Sequence, residues 1–446
     1  MCNKFLYIIN CLLYAFILLI ASNFFFVKKI TGLYWVFLLL YVAVNFFPTW
    51  ILPRTKRLRT CARGNALLLE FLCSAALCVL LFLLSFTNLL GAENIFQNPK
   101  FWIINTLTAI LLETIVFWNG MLRIFFSSKQ LGIRTRILAV LCGMIPIVHL
   151  FVLGKMIRLV SDEIALENQK IITDEQRHAQ QICATKYPIL MVHGVFFRDF
   201  RYFNYWGRIP KALEDNGARI FYGEHQSAAS VETSGHEIAE RILNIVAETG
   251  CDKVNIIAHS KGGLDCRYAL HLPGIAEHVA TLTTVSTPHR GCEFADYLLT
   301  RIPQAEQHAV AKTYNAALLK LGDPNPDFLA AVRNLTASYC KEFNDKYPDA
   351  AGVLYQSVGS NLNKAGGGRF PLNFTYHLAR HFDGVNDGLV SEKSFPWGET
   401  FQMLTVNGTR GISHGDMIDL NRENIPEFDV REFYVQLVAK LKQSGY

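Results

Sequence analysis

The stretch KVNIIAHSKGGLD, residues 253–265, places a serine between a run of apolar residues and two glycines. The apolar letters VNIIA predict a buried strand, and LDCRYALHL predicts a helix after the glycines. Ser260 would then stand on a sharp strand-to-helix turn, where the small Ala258 and Gly262 let the backbone fold tightly. A serine held in this way can lose its proton to a base, so the pattern predicts a nucleophile. A helix N-cap is the alternative use of a serine here.

Short apolar runs bounded by turn residues recur on both sides of this stretch. The predicted strands are PILMV 188–192, ARIFY 218–222, VNIIA 254–258, TLTTVS 281–286, VLYQSV 353–358 and FQMLTV 401–406. Helical patterns lie between several of them, and a last helix is expected over 429–442. This alternation predicts a doubly wound, mostly parallel α/β sheet. Residues 297–350 break it with two or three amphipathic helices, either a lid over the site or ordinary packing helices.

The base and the acid that would activate Ser260 are sought further along the chain, because this fold carries serine, acid and histidine in that order. His414, in GISHGDMIDL, is the only histidine beyond residue 381. The acid is expected in FDGVNDGLVSE, 382–392, where Asp387 is preferred and Asp383 is the alternative. A buried carboxylate there would fix the tautomer of His414 and stabilise its imidazolium form. The other aspartate would cap the turn.

Backbone N–H groups that stabilise the oxyanion come from the residue after the nucleophile and from a loop after an early strand. These positions are Lys261 and, in MVHGVFF 191–197, Val195. Such donors are typically worth ~10²–10³ in rate. The aromatic cluster between residues 196 and 206 either lines an acyl pocket or packs around this loop, and packing is the preferred interpretation.

The N-terminal part of the chain is strongly apolar. Long apolar runs lie near residues 5–26, 31–52, 66–90, 101–122 and 137–154. Each is long enough to cross a hydrocarbon core of ~30 Å. We therefore predict a transmembrane helical region over 1–154 with about five spans, a charged helical stalk over 155–184, and a catalytic domain over 185–446. A buried all-helical core is the alternative for the first region, but its runs have almost no polar face.

Charge supports this division. Residues 1–160 hold 15 basic and 3 acidic residues, whereas the remainder is acidic. The overall net charge of +6 therefore reflects loops beside the membrane and not a nucleic-acid-binding surface. The basic residues cluster at 54–63 and 123–136, and the positive-inside rule places both loops in the cytoplasm. With five spans, the catalytic domain lies on the extracytoplasmic side of the cell membrane.

Two acidic residues, Glu70 and Glu113, fall inside the apolar runs. Ionisable groups in hydrocarbon are costly and often functional. A transporter-like role is weakly supported, because the spans show no paired repeat, and pairing inside the helix bundle is preferred. The eleven cysteines show no C-x-x-C pair, and their odd number argues against a full disulfide framework.

Several spaced motifs resemble the bacterial true lipases, the triacylglycerol lipase branch of the α/β-hydrolase fold. They are YPILMVHGVFF, YWGRIPKALEDNGARIFYGEHQS, VNIIAHSKGGLDCRYAL, TTVSTPHRGCEFAD, FDGVNDGLVSE and SHGDMIDL. The resemblance spans roughly 185–446 and implies esterase activity on lipid esters and a mobile helical lid. It also implies a triad of Ser260, Asp387 and His414, with oxyanion donors at Val195 and Lys261. Alanine replaces the first glycine of the family's serine turn.

The same resemblance raises the question of a metal ion. The family often binds a structural calcium through an acid two residues after the catalytic histidine, and Asp416 holds that position. The other acidic ligand usually lies upstream of the catalytic aspartate, where this chain reads NKAGGGRF without an acid. Asp416 is therefore either a calcium ligand or a hydrogen-bonding residue of its loop. No cofactor is expected to be required for the reaction.

Together these features predict a membrane-anchored serine hydrolase that cleaves carboxylic ester bonds of lipids through an acyl-enzyme intermediate. A phospholipase or lipid acyltransferase of the same fold is an alternative, because the acceptor leaves no short motif. A non-catalytic membrane interaction protein on a hydrolase scaffold is a second alternative, and the presence of all three triad residues argues against it. The expected partners are a lipid ester and the membrane, with no nucleic acid.

Overall fold

The computed structural model describes residues 2–26, 31–87, 89, 94–143, 145, 147–195, 204–320 and 322–446. The chain divides into two compact units, Met1–Glu175 and Gln176–Tyr446.

The first unit is built from helices. They are α1 Cys2–Ser22, α2 Thr31–Phe46, α3 Lys56–Leu84, α4 Pro99–Ser127, α5 Gly132–Cys142 and α6 Val148–Arg177, whose last residues belong to the second unit. Helices α3 and α4 approach closely at two glycines, since a Cβ at Gly64 would lie 2.9 Å from the carbonyl oxygen of Gly120. Small residues at a crossing of this kind are typical of helices that pack in a membrane.

Three helices in the described part of the chain are long and apolar enough to cross a membrane. They are Phe5–Ser22, Lys56–Leu84 and Pro99–Ser127, and Gly32–Phe46 is a shorter apolar helix. The apolar run 137–154 is not one helix, because α5 ends at Cys142 and α6 begins at Val148. The number of five spans and the boundaries at 154 and 184 stay predictions.

The two acidic residues of this unit are both buried, and they differ in their partners. Glu113 accepts hydrogen bonds from the hydroxyls of Ser22 at 3.2 Å and Ser74 at 2.9 Å. These bonds tie α1, α3 and α4 together, as a pairing inside the bundle requires. The carboxylate oxygens of Glu70 accept no hydrogen bond from any residue that the structure describes.

A six-stranded parallel sheet forms the centre of the second unit. Its strands are β1 Ile189–Val192, β2 Ile220–Tyr222, β3 Val254–His259, β4 Val279–Val285, β5 Leu354–Ser360 and β6 Thr400–Leu404. They lie in the order β2-β1-β3-β4-β5-β6, and all neighbouring pairs are parallel. Each of the six predicted strands overlaps one of these, and the predicted α/β class is confirmed.

Helices cover both faces of the sheet. They are α7 Ile209–Glu214, α8 Val231–Thr249, α9 Gly262–Ala269, α10 Glu293–Arg301, α11 Gln304–Lys320, α12 Phe328–Arg333, α13 Ala337–Lys346, α14 Leu372–Phe382 and α15 Val430–Gln443. Alternate residues of β1 enter different cores, because side chains of a strand point to opposite faces. Ile189 and Met191 pack with α7 and α15, whereas Leu190 and Val192 pack with α8. In sheets of this class, ligands bind beyond the carboxyl ends of the strands.

Candidate active site

Ser260 stands at the carboxyl end of β3 in a strained conformation. Its φ is +55°, in the left-handed region that residues with a side chain rarely adopt. The turn is held because the Ser260 N–H donates a 2.9 Å hydrogen bond to the carbonyl of Val285 at the end of β4. A Cβ at Gly194 would lie 2.7 Å from Cβ of Ser260, so the glycine is needed for the close approach. Strain of this kind is typical of functional sites.

The N-cap interpretation of Ser260 is wrong. Lys261 is the residue that precedes the first residue of α9, Gly262, and no side chain caps this helix. The left-handed turn instead directs the chain from β3 into α9 and leaves the serine hydroxyl without a structural hydrogen bond to the described residues.

His414 and Asp387 form a buried pair. Nδ1 of His414 lies 2.8 Å from Oδ2 of Asp387, whose side chain is fully buried. The other oxygen, Oδ1, accepts hydrogen bonds from the N–H groups of Leu389 at 3.0 Å and Val390 at 2.8 Å. The backbone N–H of His414 also donates to the carbonyl of Asp387 at 2.8 Å. The carboxylate is thereby fixed on Nδ1, and Nε2 is left as the nitrogen that can accept a proton.

The structure brings His414 beside the serine turn. Its ring centroid lies 4.5 Å from that of His259, the residue directly before Ser260. Ser260 Oγ and His414 Nε2 do not hydrogen-bond to each other in this structure. Bonds between a nucleophile and its base are often long in the absence of substrate and shorten when it binds.

Asp383, the alternative acid, lies elsewhere in the same loop and has a different task. Its carboxylate accepts hydrogen bonds from the N–H groups of Glu293 at 3.0 Å and Phe294 at 3.4 Å, the first two residues of α10. Burial raises its pKa above the usual value. An acid on the first N–H groups of a helix caps that helix, so Asp387 alone of the two candidates contacts His414.

The two backbone groups predicted for the oxyanion lie next to the serine turn. Val195 follows Gly194, and Lys261 follows Ser260; both residues are buried. Neither N–H donates a hydrogen bond to a described residue. Buried N–H groups are rarely left without an acceptor, and the role of these two as oxyanion donors stays a prediction.

Tyr205 supports this loop through its hydroxyl, a contact that the sequence analysis did not specify. Its hydroxyl accepts a 3.0 Å hydrogen bond from the N–H of Gly194 and lies 2.7 Å from Nδ1 of His259. Tyr205 is therefore a packing residue, as preferred for the aromatic cluster. Most of that cluster, within 196–203, lies outside the described residues.

Comparisons with known proteins point to esterases and lipases. A family model named "Putative serine esterase (DUF676)" matches residues 220–322. A triacylglycerol lipase of Vibrio cholerae is 29% identical over 322 residues, which cover 66% of this chain and 100% of the relative. Another from Pseudomonas fragi is 28% identical and covers 58% and 98%. A third, from Pseudarthrobacter phenanthrenivorans, is 31% identical but covers 39% of this chain and 57% of that protein.

The chain is similar in sequence to triacylglycerol lipases over more than half of its length. Among solved structures, the mature Bacillus licheniformis lipase BlEst2 matches with a TM-score of 0.42 and 22% identity, over 57% of this chain and 92% of that one. The Staphylococcus hyicus lipase matches with a TM-score of 0.45 and 18% identity, over 58% and 97%. The lipase homologues identify this chain as a hydrolase.

A buried ion pair lies behind the turn that carries Ser260. The ammonium of Lys261 is 2.5 Å from Oδ1 of Asp265, one turn later in α9, and 3.3 Å from the hydroxyl of Ser234. Both charged side chains are at most 3% exposed. Burial raises the pKa of Asp265 to about 7, and the neighbouring Lys261 ammonium opposes that rise. The side chain of Lys261 thus anchors the turn to α8, while its backbone N–H stays available.

Asp416, the residue considered for calcium, already accepts hydrogen bonds on both oxygens, Oδ1 from Arg410 and Oδ2 from Arg410 and Ser413. Arg410 donates to it through two nitrogens, at 2.9 and 3.1 Å, and Ser413 donates through its N–H and its hydroxyl. No group of three or more His, Cys, Asp or Glu side chains gathers as a metal site among the described residues. The residues around Asp416 therefore do not fit a calcium ion, and the hydrogen-bonding interpretation describes this residue.

Proposed function

We propose that the second unit is a serine hydrolase that cleaves carboxylic ester bonds of lipids through an acyl-enzyme intermediate. The observation that carries the proposal is the buried His414–Asp387 pair beside a serine held at φ +55°. The names of the homologues, which are triacylglycerol lipases, support a lipid ester as the substrate.

In the proposed reaction, Oγ of Ser260 attacks the ester carbonyl while Nε2 of His414 takes its proton. Asp387 stabilises the imidazolium that forms, because its carboxylate stays on Nδ1. The oxyanion accepts hydrogen bonds from the N–H groups of Val195 and Lys261. The alcohol then leaves with the proton from His414. Water attacks the acyl-enzyme, and the fatty acid is released.

Fatty-acid release from an emulsified triacylglycerol by the full chain in detergent tests this proposal. Ser260→Ala should lower the rate by at least about 10³-fold, because no other group supplies the nucleophile. Ser286→Ala is a matched control, since Ser286 is also buried at a strand end with φ +51°. Equal loss in both variants, or an active Ser260→Ala chain, contradicts the proposal. Activity on phospholipid alone would keep the mechanism and correct the substrate class.

We further propose that the first unit anchors the enzyme in the cell membrane, with the catalytic unit on the extracytoplasmic side. Three apolar helices of sufficient length support the anchoring, and the basic loops support the orientation. Labelling of intact cells with a membrane-impermeant fluorophosphonate should give a band that the Ser260→Ala chain lacks. A band that appears only after lysis would overturn the orientation and leave the hydrolase standing.

A further inference from the structure

The loop that carries His414 is closed by one guanidinium group. Arg410 lies four residues before the histidine, and Asp416 lies two residues after it. The two side chains form a bidentate pair, with Nη1 to Oδ2 at 2.9 Å and Nη2 to Oδ1 at 3.1 Å. Bidentate arginine–carboxylate pairs fix geometry as well as adding energy, so this pair joins the two ends of the histidine loop.

Asp416 also restrains Ser413, the residue next to the histidine. Its Oδ2 accepts hydrogen bonds from the N–H of Ser413 at 2.8 Å and from the hydroxyl of Ser413 at 2.7 Å. Ser413 directly precedes His414, whose own N–H is held by the carbonyl of Asp387. The imidazole is therefore positioned from one side by Asp387 and from the other by the pair of Arg410 and Asp416.

A second carboxylate completes the cluster. Nη2 of Arg410 also donates to Oε2 of Glu423 at 3.0 Å, and Nε of Arg369 donates to Oε1 of Glu423 at 2.7 Å. Two guanidinium groups thus balance two carboxylates. Asp416 and Glu423 both contact the same nitrogen, and the carbonyl oxygen of Gly411 lies 3.1 Å from Nη1. Arg410 occupies the centre of a set of oxygen atoms.

We propose that Arg410 is a positioning residue for His414, and that its guanidinium is a built-in cation at the place where a divalent ion would otherwise hold this loop. The proposal rests on the proposed function in one respect, namely that His414 is the catalytic base. It follows from the disagreement between Asp416, which resembles a calcium ligand by position, and the guanidinium that occupies its oxygens.

Removal of the guanidinium should convert this cluster into a cation site. In Arg410→Ala, the carboxylates of Asp416 and Glu423 would face each other without a cation between them. Calcium binds carboxylate and carbonyl oxygens in flexible geometry, and the two carboxylates and the Gly411 carbonyl offer such ligands. Calcium should therefore bind the variant and restore the loop.

The experiment compares the native full chain, Arg410→Ala and a control, Arg290→Ala, in EDTA and in millimolar calcium. Arg290 is exposed and donates to the backbone carbonyls of Lys393 and Pro396, away from the histidine loop. Each chain is assayed for kcat and KM on a soluble ester, for the thermal unfolding midpoint, and for the rate of fluorophosphonate labelling at Ser260.

We expect the native chain and the control to respond to neither EDTA nor calcium. In EDTA, Arg410→Ala should lose roughly 10- to 100-fold in kcat and in labelling rate with KM nearly unchanged, because a misplaced base slows the reaction and not the binding. Calcium should recover part of kcat and raise the unfolding midpoint. If Arg410→Ala does not fold, Arg410→Lys should show a smaller loss, because an ammonium cannot bind both oxygens in the same plane.

Three results would overturn the proposal: a native chain that needs calcium, an Arg410→Ala chain with native kcat, or a variant whose midpoint ignores calcium. Failure of the proposed function would look different. In that case the native chain would show no labelling at Ser260. The change of the unfolding midpoint of Arg410→Ala with calcium would still test whether Asp416 and Glu423 bind a cation.

Discussion

Ser260 and His414 each lie beside a cation–carboxylate pair, and the two pairs are built differently. The pair behind the serine, Lys261 with Asp265, is 3% and 2% exposed and joins two residues of one helical turn. In the pair beside the histidine, the Arg410 side chain is 26% exposed, and it also bonds Glu423. In the first pair both charged side chains are buried, whereas the second pair belongs to a branched network in which Arg410 and Glu423 are partly exposed to water.

Because the two pairs differ in burial, we expect them to affect different properties of the unit. In a buried ion pair each charge is stabilised by the other and not by water. Removal of one charge therefore leaves an uncompensated group in the interior. Breaking a partly solvated ion pair lowers the free energy of unfolding only a little, because water replaces the lost partner. The Lys261–Asp265 pair should therefore control the stability of the unit, and Arg410 should control the position of one side chain.

The strongest effect on the rate is expected from the acid that holds His414. Asp387→Asn should lower kcat by about 10⁴-fold, because the amide favours the wrong tautomer of His414. Asp383→Asn is the matched control from the same loop and should leave kcat close to native, since Asp383 caps α10. Steady-state kinetics of both variants on a soluble ester measure this, and equal losses would show that Asp387 has no special role.

The two cations should differ in their effect on stability. Lys261→Met should lower the free energy of unfolding of the second unit by about 3–5 kcal/mol, because Asp265 loses its counter-charge in the interior and must either stay charged there or take up a proton. Arg410→Gln should lower it by about 1 kcal/mol, because the buried Asp416 keeps its hydrogen bonds from Ser413 and the partly exposed Glu423 keeps its bond from Arg369. Urea titration of the full chain in detergent gives both values, and a reversed order would break the comparison.

A double variant tests whether Lys261 and Asp265 stabilise the unit as a pair. Lys261→Met combined with Asp265→Leu should recover most of the stability that Lys261→Met loses, since buried pairs are often replaced by apolar side chains without loss. The same urea titration measures the coupling between the two positions. Additive losses would mean that the residues do not act as a pair.

The smallest expected effect concerns pH. Burial lowers the pKa of His259 and of His289 well below the usual value of 6.5. Below about pH 6.5 the unfolded chain therefore binds protons that the folded chain does not, and stability falls as the pH falls. His289→Gln removes one such group, so its loss of stability between pH 7 and pH 5 should be shallower than that of the native chain. Parallel unfolding curves in urea would contradict this.

Much of the fold could be predicted from the sequence, because parallel strands buried on both faces leave apolar runs between turn residues. VNIIA and TLTTVS fall on β3 and β4 for this reason. Ser260 could be singled out because the turn needs small neighbours at fixed spacing. His414 could be found because chain order and a single late histidine leave one choice.

What could not be predicted depends on contacts between distant segments. Tyr205 reaches the oxyanion loop through its hydroxyl, and nothing in the local sequence distinguishes it from neighbouring aromatic residues. The contact between Arg410 and Asp416 spans one loop but depends on how that loop folds back. The pair of Lys261 and Asp265 could have been predicted from the sequence, because residues four apart lie on one face of a helix. The break between α5 and α6 inside the apolar run 137–154 could not be predicted either, because the composition of the run resembles one continuous helix.

Peptide mapping of the full chain after reaction with a fluorophosphonate tests the central claim most directly. We expect one phosphonylated peptide, the one that contains Ser260, with loss of the adduct in Ser260→Ala and retention in Ser286→Ala. An adduct on another serine, or an equal adduct in the Ser260→Ala chain, would contradict the assignment of the nucleophile.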